Sequence, residues 1–212
     1  SAKIAIGPAL KETFYYDIDL DISINEESLY NDIFVWAYAN NNKIPSSYNV
    51  IEPAINIFPQ NIPFKNKIKL SYPGNKDGAI FQLNNDKWVY AQGSTKDSLT
   101  TEIITGGIFA ILNENVKPII TNVFPNYNSV YKLEDIASVS FNIIDNESGV
   151  DYKEIEIEIN NKKLYYNYIP YRNLAIGKIN DELKKGENHL SITCKDNIGN
   201  TTNIEGNFII EW

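Results

Sequence analysis

The 212-residue chain holds one cysteine, Cys194, one histidine, His189, and no methionine. A lone cysteine excludes an intrachain disulfide and a cysteine-based metal cluster. No His-x-His, His-Glu-x-x-His or Cys-x-x-Cys spacing occurs. A catalytic zinc takes three protein ligands that include His or Cys, so a zinc hydrolase centre within this chain is excluded and no metal or other cofactor is expected. A Ser-His-Asp triad has to run through His189, which stands in an alternating stretch between Asn188 and Leu190, where a structural histidine is the simpler reading. Basic clusters are missing as well. Lys+Arg number 19 against 27 Asp+Glu, a formal charge of −8, whereas phosphate backbones need concentrated Lys and Arg, so nucleic acid is not the expected partner. No run reaches the roughly 18 to 20 apolar residues of a membrane-spanning helix, so no transmembrane segment is expected. The chain opens Ser-Ala-Lys without a signal peptide, which reads as an excised or processed piece of a longer protein.

What is present is period-2 patterning. Hydrophobic residues are 43% and charged residues 22% of the chain, the balance of an ordinary folded protein. The length fits two domains of about 100 residues, each with its own core. Residues 14–24, FYYDIDLDISI, place Phe14, Tyr16, Ile18, Leu20, Ile22 and Ile24 on one face and mostly acids on the other, as a half-buried strand does. IFVWAY, residues 33–38, reads as a strand buried on both faces. In residues 48–58 Pro53 interrupts the pattern, which favours a bulge or an edge position. Residues 79–83 and 87–91 form a hairpin across Asn84-Asn85-Asp86, residue types that tolerate positive φ. Short helical turns are expected at residues 28–30 and 180–185.

The pattern breaks once, after the apolar run 108–112. Asn113-Glu114-Asn115 is polar and turn-prone, and Pro118 suits the start of a new strand. The expected fold class is therefore all-β: two tandem β-sandwich modules, residues 1–115 and 116–212, the second Ig-like. That second part shows about seven short alternating strands separated by turn signals at regular spacing.

Three groups are candidates for a site. Asp145 and Glu147 in one acidic turn, with Asp196 and Asn200 in another, offer oxygen ligands to a calcium ion, which takes six to eight; Asp and Asn are also the ordinary residues of tight turns. Trp88 and the cluster Tyr165, Tyr166, Tyr168 and Tyr171 could stack on sugar rings, and Trp36 is either a further platform or core. Cys194 shares the parity of the inward residues Leu190 and Ile192, the pattern of a buried, inert thiol. The ladder Glu154, Glu156, Glu158 reads as a solvated sheet face that discourages edge pairing.

One ordered set of motifs goes further. Lys87-Trp88 is followed by the run Gly107-Ile-Phe-Ala-Ile-Leu112 and then Lys117-Pro118-Ile119. Next come Phe141-Asn-Ile-Ile-Asp145-x-x-Ser148-Gly149, a strand opening Gly186-x-Asn-His189, and Asp196-Asn-Ile-Gly199-Asn200. This order resembles the region that follows the catalytic domain in secreted bacterial LytM-like (M23) peptidoglycan metallopeptidases, where an all-β module precedes a bacterial Ig-like domain. The resemblance is best from about Asp86 to Phe208. The histidine-rich zinc motifs of the peptidase are absent, so no catalytic residue carries over and the chain alone is not expected to be an enzyme. The resemblance implies a periplasmic or cell-envelope location. It also implies a supporting role: positioning or regulating a peptidoglycan-acting enzyme, or docking a protein partner. A carbohydrate- or glycan-binding module and a surface adhesin or assembly domain are the alternatives.

Overall fold

The structure, a computed structural model, describes residues 5–6, 20–24, 27–30, 33–40, 43–74, 77–91, 93–95 and 98–211. It divides into two compact units, Ser1–Asn115 and Val116–Trp212, and is all-β. Among the described residues the only helical turns are single 3-10 turns at Leu133–Asp135 and Pro170–Arg172. Neither of the stretches expected to be helical, 28–30 and 180–185, forms a helix. Among the described residues no helix is long and apolar enough to cross a membrane.

The first unit contains β1 (Ala5–Ile6), β2 (Asp21–Ser23), β3 (Ile33–Phe34), β4 (Trp36–Asn40), β5 (Tyr48–Phe58) and β6 (Ile68–Pro73). They are followed by β7 (Ala79–Asn84), β8 (Lys87–Tyr90), β9 (Gly93–Thr95), β10 (Ser98–Ile103) and β11 (Gly107–Glu114). The strands form a β1-β3 ladder, a sheet ordered β2-β6-β10-β9 and a sheet ordered β4-β5-β11-β7-β8. Leu20, Ile22, Leu70 and Tyr72 from one sheet share a core with Ile55, Ile57, Phe109 and Ile111 from the other. Two sheets closing over one apolar layer make a sandwich.

Alternation over 14–24 holds where it can be seen: Leu20, Ile22 and Ile24 are buried, while residues 14–19 lie outside the described residues. IFVWAY is not one doubly buried strand. It is split at Val35 into β3 and β4, and Tyr38 is exposed. The side chain of Trp36 lies outside the described residues. Pro53 does sit at a bulge, since the β5–β11 register shifts between Phe109 and Ile111, but β5 is an inner strand. The described β4–β5 pairs run from Trp36↔Phe58 to Asn40↔Ala54, one residue short of Pro53. The expected hairpin forms as β7–β8, with Asn85 at φ 47 and Asp86 at φ 63, the two left-handed residues of a type I′ turn.

The second unit contains β12 (Ile119–Phe124), β13 (Val130–Lys132), β14 (Ser138–Ile144), β15 (Glu156–Ile159), β16 (Lys162–Lys163), β17 (Tyr166–Ile169), β18 (Leu174–Lys178), β19 (Gly186–Lys195) and β20 (Thr201–Glu211). One sheet runs β12-β14-β18-β17 and the other β13-β20-β19-β15-β16. In chain order this is the immunoglobulin arrangement, A-B-E-D facing a G-F-C sheet with an added C′ strand. The split first strand is also present: β12 joins the first sheet, and β13 pairs in parallel with β20. Val139, Phe141, Ile143 and Ala175 meet Ile157, Leu190, Ile192, Cys194 and Phe208 across the core. Cys194 stands on the F strand without a cysteine opposite it, so packing alone fills the centre of the sandwich.

Candidate functional site

The two acidic turns of the second unit meet. Asp145 follows β14 and Asp196 follows β19. A single bridge, Val150↔Asp196, joins the loops, and the Asn197 side chain donates to the carbonyls of Ser148 at 2.8 Å and Gly149 at 3.1 Å. Within each turn the carboxylate caps its own backbone. Asp145 Oδ1 accepts from the N–H groups of Glu147 at 3.2 Å and Gly149 at 2.6 Å. Asp196 Oδ1 accepts from Ile198, Gly199 and Asn200 at 3.0, 2.7 and 2.8 Å. Its other oxygen takes the Asn200 amide N–H at 2.8 Å.

Carboxylate oxygens of Asp145 and Asp196 lie within 4.8 Å of one another. Asp145 Oδ2 is buried without a hydrogen-bond partner. Its pKa is raised, chiefly by burial, with the nearby Asp196 charge adding to this and the Gly149 N–H opposing it. Of the four calcium candidates, Asp145 and Asp196 therefore come together. Glu147 and Asn200 are joined to these turns through backbone N–H groups, and the Asn200 side chain turns its donor, not its oxygen, toward Asp196. That is the geometry of two Asx turns.

The aromatic candidates divide. Trp88 is 4% exposed, and its indole N–H has no hydrogen-bond partner. A buried ring cannot act as a surface stacking platform, so Trp88 is removed as a ligand contact. Tyr166 and Tyr168 share a parity on β17 and pack against the core. The Tyr166 hydroxyl donates to the Tyr152 carbonyl at 2.8 Å, and Tyr168 stacks on Tyr152. Tyr165 and Tyr171 face outward, 88% and 83% exposed. Arg172, the only arginine of the chain, lies 5.6 Å from the Tyr171 ring centre.

A cleft of about 300 Å³ opens beside Tyr165, lined by Ser138, Tyr165, Tyr166, Asn167, Ile176 and Lys178. The strand register explains its composition. Alternation sends Val139, Phe141 and Ala175 into the core and leaves Ser138, Ser140, Ile176 and Lys178 on the opposite face. Ser138 is paired with Lys178 and Ser140 with Ile176, which in turn faces Asn167. Sequence reasoning found the tyrosines but not Ser138, Asn167, Ile176 or Lys178. Their only signal was being out of phase with the buried residues of β14 and β18.

No known protein family matches this chain.

His189 lies on the outer face of the β19 sheet, its Nε2 3.7 Å from Glu205. Cys194 is buried, and burial pushes its pKa up to about 12, so the nucleophilic thiolate is scarce. On the expected acidic ladder, Glu156 pairs with Lys163 at 2.6 Å and Glu154 with Lys195 at 3.1 Å. Exposed pairs of this kind add little stability but keep the face soluble.

Proposed function

We propose that the chain is a non-catalytic pair of β-sandwich modules from a bacterial cell-envelope protein, serving to position or regulate a peptidoglycan-acting LytM-type enzyme or to hold a protein partner. The observation that supports this reading is the commitment of the reactive groups of the Ig-type unit to structure. Asp145 and Asp196 hold their own turns, and Cys194 is a buried thiol. The motif order that resembles the region following the peptidase supplies the envelope location. Zymography on purified peptidoglycan tests it: the chain alone is expected to leave the gel uncleared, and clearing overturns the proposal. Cell fractionation is expected to recover the parent protein from the envelope or periplasm.

A second reading, a glycan-binding module, is favoured by the exposure of Tyr165 and Tyr171. Large aromatic rings left outside a folded sandwich are the usual device for packing on the C–H faces of sugars. Its test is a glycan pull-down that loses signal in Tyr165→Ala. Trp88→Ala is not informative, because that ring is interior.

A further inference from the structure

We infer that the outer face of the β12-β14-β18-β17 sheet binds a linear glycan that carries carboxylate groups, with Tyr165 and Tyr171 as stacking rings and Lys178 and Arg172 as the cationic contacts. This rests on the glycan-binding reading and adds the place, the direction and the charge of the ligand.

Charge complementarity carries the argument. The chain as a whole is acidic, with a formal charge of −8. Yet none of the four strands of this sheet contains Asp or Glu, and the one charged residue in them is Lys178. The opposite sheet carries Glu156, Glu158, Glu187, Glu205 and Glu211 in its strands together with Lys132, Lys162, Lys163 and Lys195. None of the residues lining the cleft is acidic. An anionic ligand on this face thus meets cations and no carboxylate from the strands beneath it, whereas the other sheet mixes both signs.

The β17–β18 hairpin sets the direction. Lys178 donates its backbone N–H to the Tyr165 carbonyl at 2.9 Å, which fixes a tyrosine and a lysine together at the open end. At the closed end stand Tyr171 and Arg172. Asn142, on the outer face of β14, donates to the Arg172 carbonyl at 3.0 Å, which ties this turn to the sheet. Between the two ends run about four residues of strand, roughly 13 Å at ~3.3 Å per residue, long enough for more than one pyranose ring. Ile176 is half-buried, and Asn167 and Ser138 supply donors and acceptors along the track. Aromatic ends, an apolar floor and amide and hydroxyl sides suit a sugar chain. The cations, one of them a guanidinium able to bind a carboxylate through two N–H groups, suit an acidic one.

The test uses the full chain and isothermal calorimetry with hexagalacturonate, a linear carboxylated glycan, against its methyl ester, which has the same backbone without the charge. The expected result is binding of the acid form that weakens with added salt, with the ester at least tenfold weaker. Tyr165→Ala and Lys178→Met are each expected to lose about tenfold while keeping the wild-type melting curve, since both side chains are exposed. Equal binding of acid and ester overturns the charge assignment and leaves a neutral-glycan site. Binding of neither form overturns the inference, while the glycan reading falls only if the glycan pull-down fails as well. Binding that survives both substitutions overturns the placement. Binding of hexaglutamate as tight as that of the glycan overturns the sugar and points to an acidic peptide on the same cations.

Discussion

The carboxylates of Asp145 and Asp196 lie within 4.8 Å of one another while each caps the backbone of its own turn. The contact joins the loops after the B and F strands, and it leaves one oxygen of Asp145 buried and unpartnered. The pKa of Asp145 is raised above its ordinary 3.8, by burial first. Between that value and the folded pKa the native state holds a proton that the unfolded chain has released. Stability therefore falls as pH rises through this window and stays lower above it. Asp145→Asn keeps the Oδ1 acceptor and sets an N–H donor toward Asp196. It is expected to raise the melting midpoint of the second unit at neutral pH by a few degrees and to flatten its pH dependence, as read by calorimetry between pH 4 and 8. Asp196→Ala is expected instead to lower the midpoint, costing about 2–4 kcal/mol, because three N–H groups lose their acceptor.

Cys194 is expected to be silent to thiol reagents in the folded protein. With its pKa pushed up to about 12 and its side chain in the core, it should react with an aromatic disulfide reagent only when the second unit opens. Labelling rates that follow denaturant concentration confirm this; prompt stoichiometric labelling in buffer contradicts it.

Gly106 donates its N–H to the Pro59 carbonyl at 2.9 Å. A Cβ on it would run into the carbonyl oxygens of Ile57 and Pro59, which are backbone and cannot rotate aside. Gly106→Ala is expected to cost about 2–4 kcal/mol, measured as a loss in the urea midpoint of the first unit. A change below about 0.5 kcal/mol refutes the close approach.

Tyr72 buries its hydroxyl without a hydrogen-bond partner, and burial raises its pKa. Tyr72→Phe removes a desolvated polar group and leaves the ring in place. The variant is expected to be as stable as the parent or about 1 kcal/mol more so, and equilibrium unfolding in urea checks the sign.

The architecture was legible where apolar bulk and parity agree. Val139-x-Phe141-x-Ile143 and Leu190-x-Ile192-x-Cys194 name their inward faces outright, and the hairpin is written in Asn85-Asp86. The last strand begins at Thr201, although its apolar alternation starts only at Phe208. Thr202 and Gly206 share the parity of Phe208 and Ile210 but supply no apolar bulk. A side chain at Gly206 would strike the Tyr127 ring, which occupies that space. Volume brought from elsewhere in the chain leaves no local signal. The candidate site shows the same limit. The tyrosines stand out as a cluster, but nothing in their spacing says that Tyr166 and Tyr168 face inward and Tyr165 outward, and the cleft residues of β14, β17 and β18 meet only through pairing between strands.

The parallel pairing of β13 with β20 also governs how the second unit bears load. Val130, Tyr131 and Lys132 run beside Ile209, Ile210 and Glu211 in the same direction. Tension that reaches the start of β13 and the end of β20 draws the two strands in opposite directions along the axis they share. Their hydrogen bonds then resist in shear, acting together instead of parting one after another. The short ladder that closes the sheet edge is thus also the clasp that a pulling force meets.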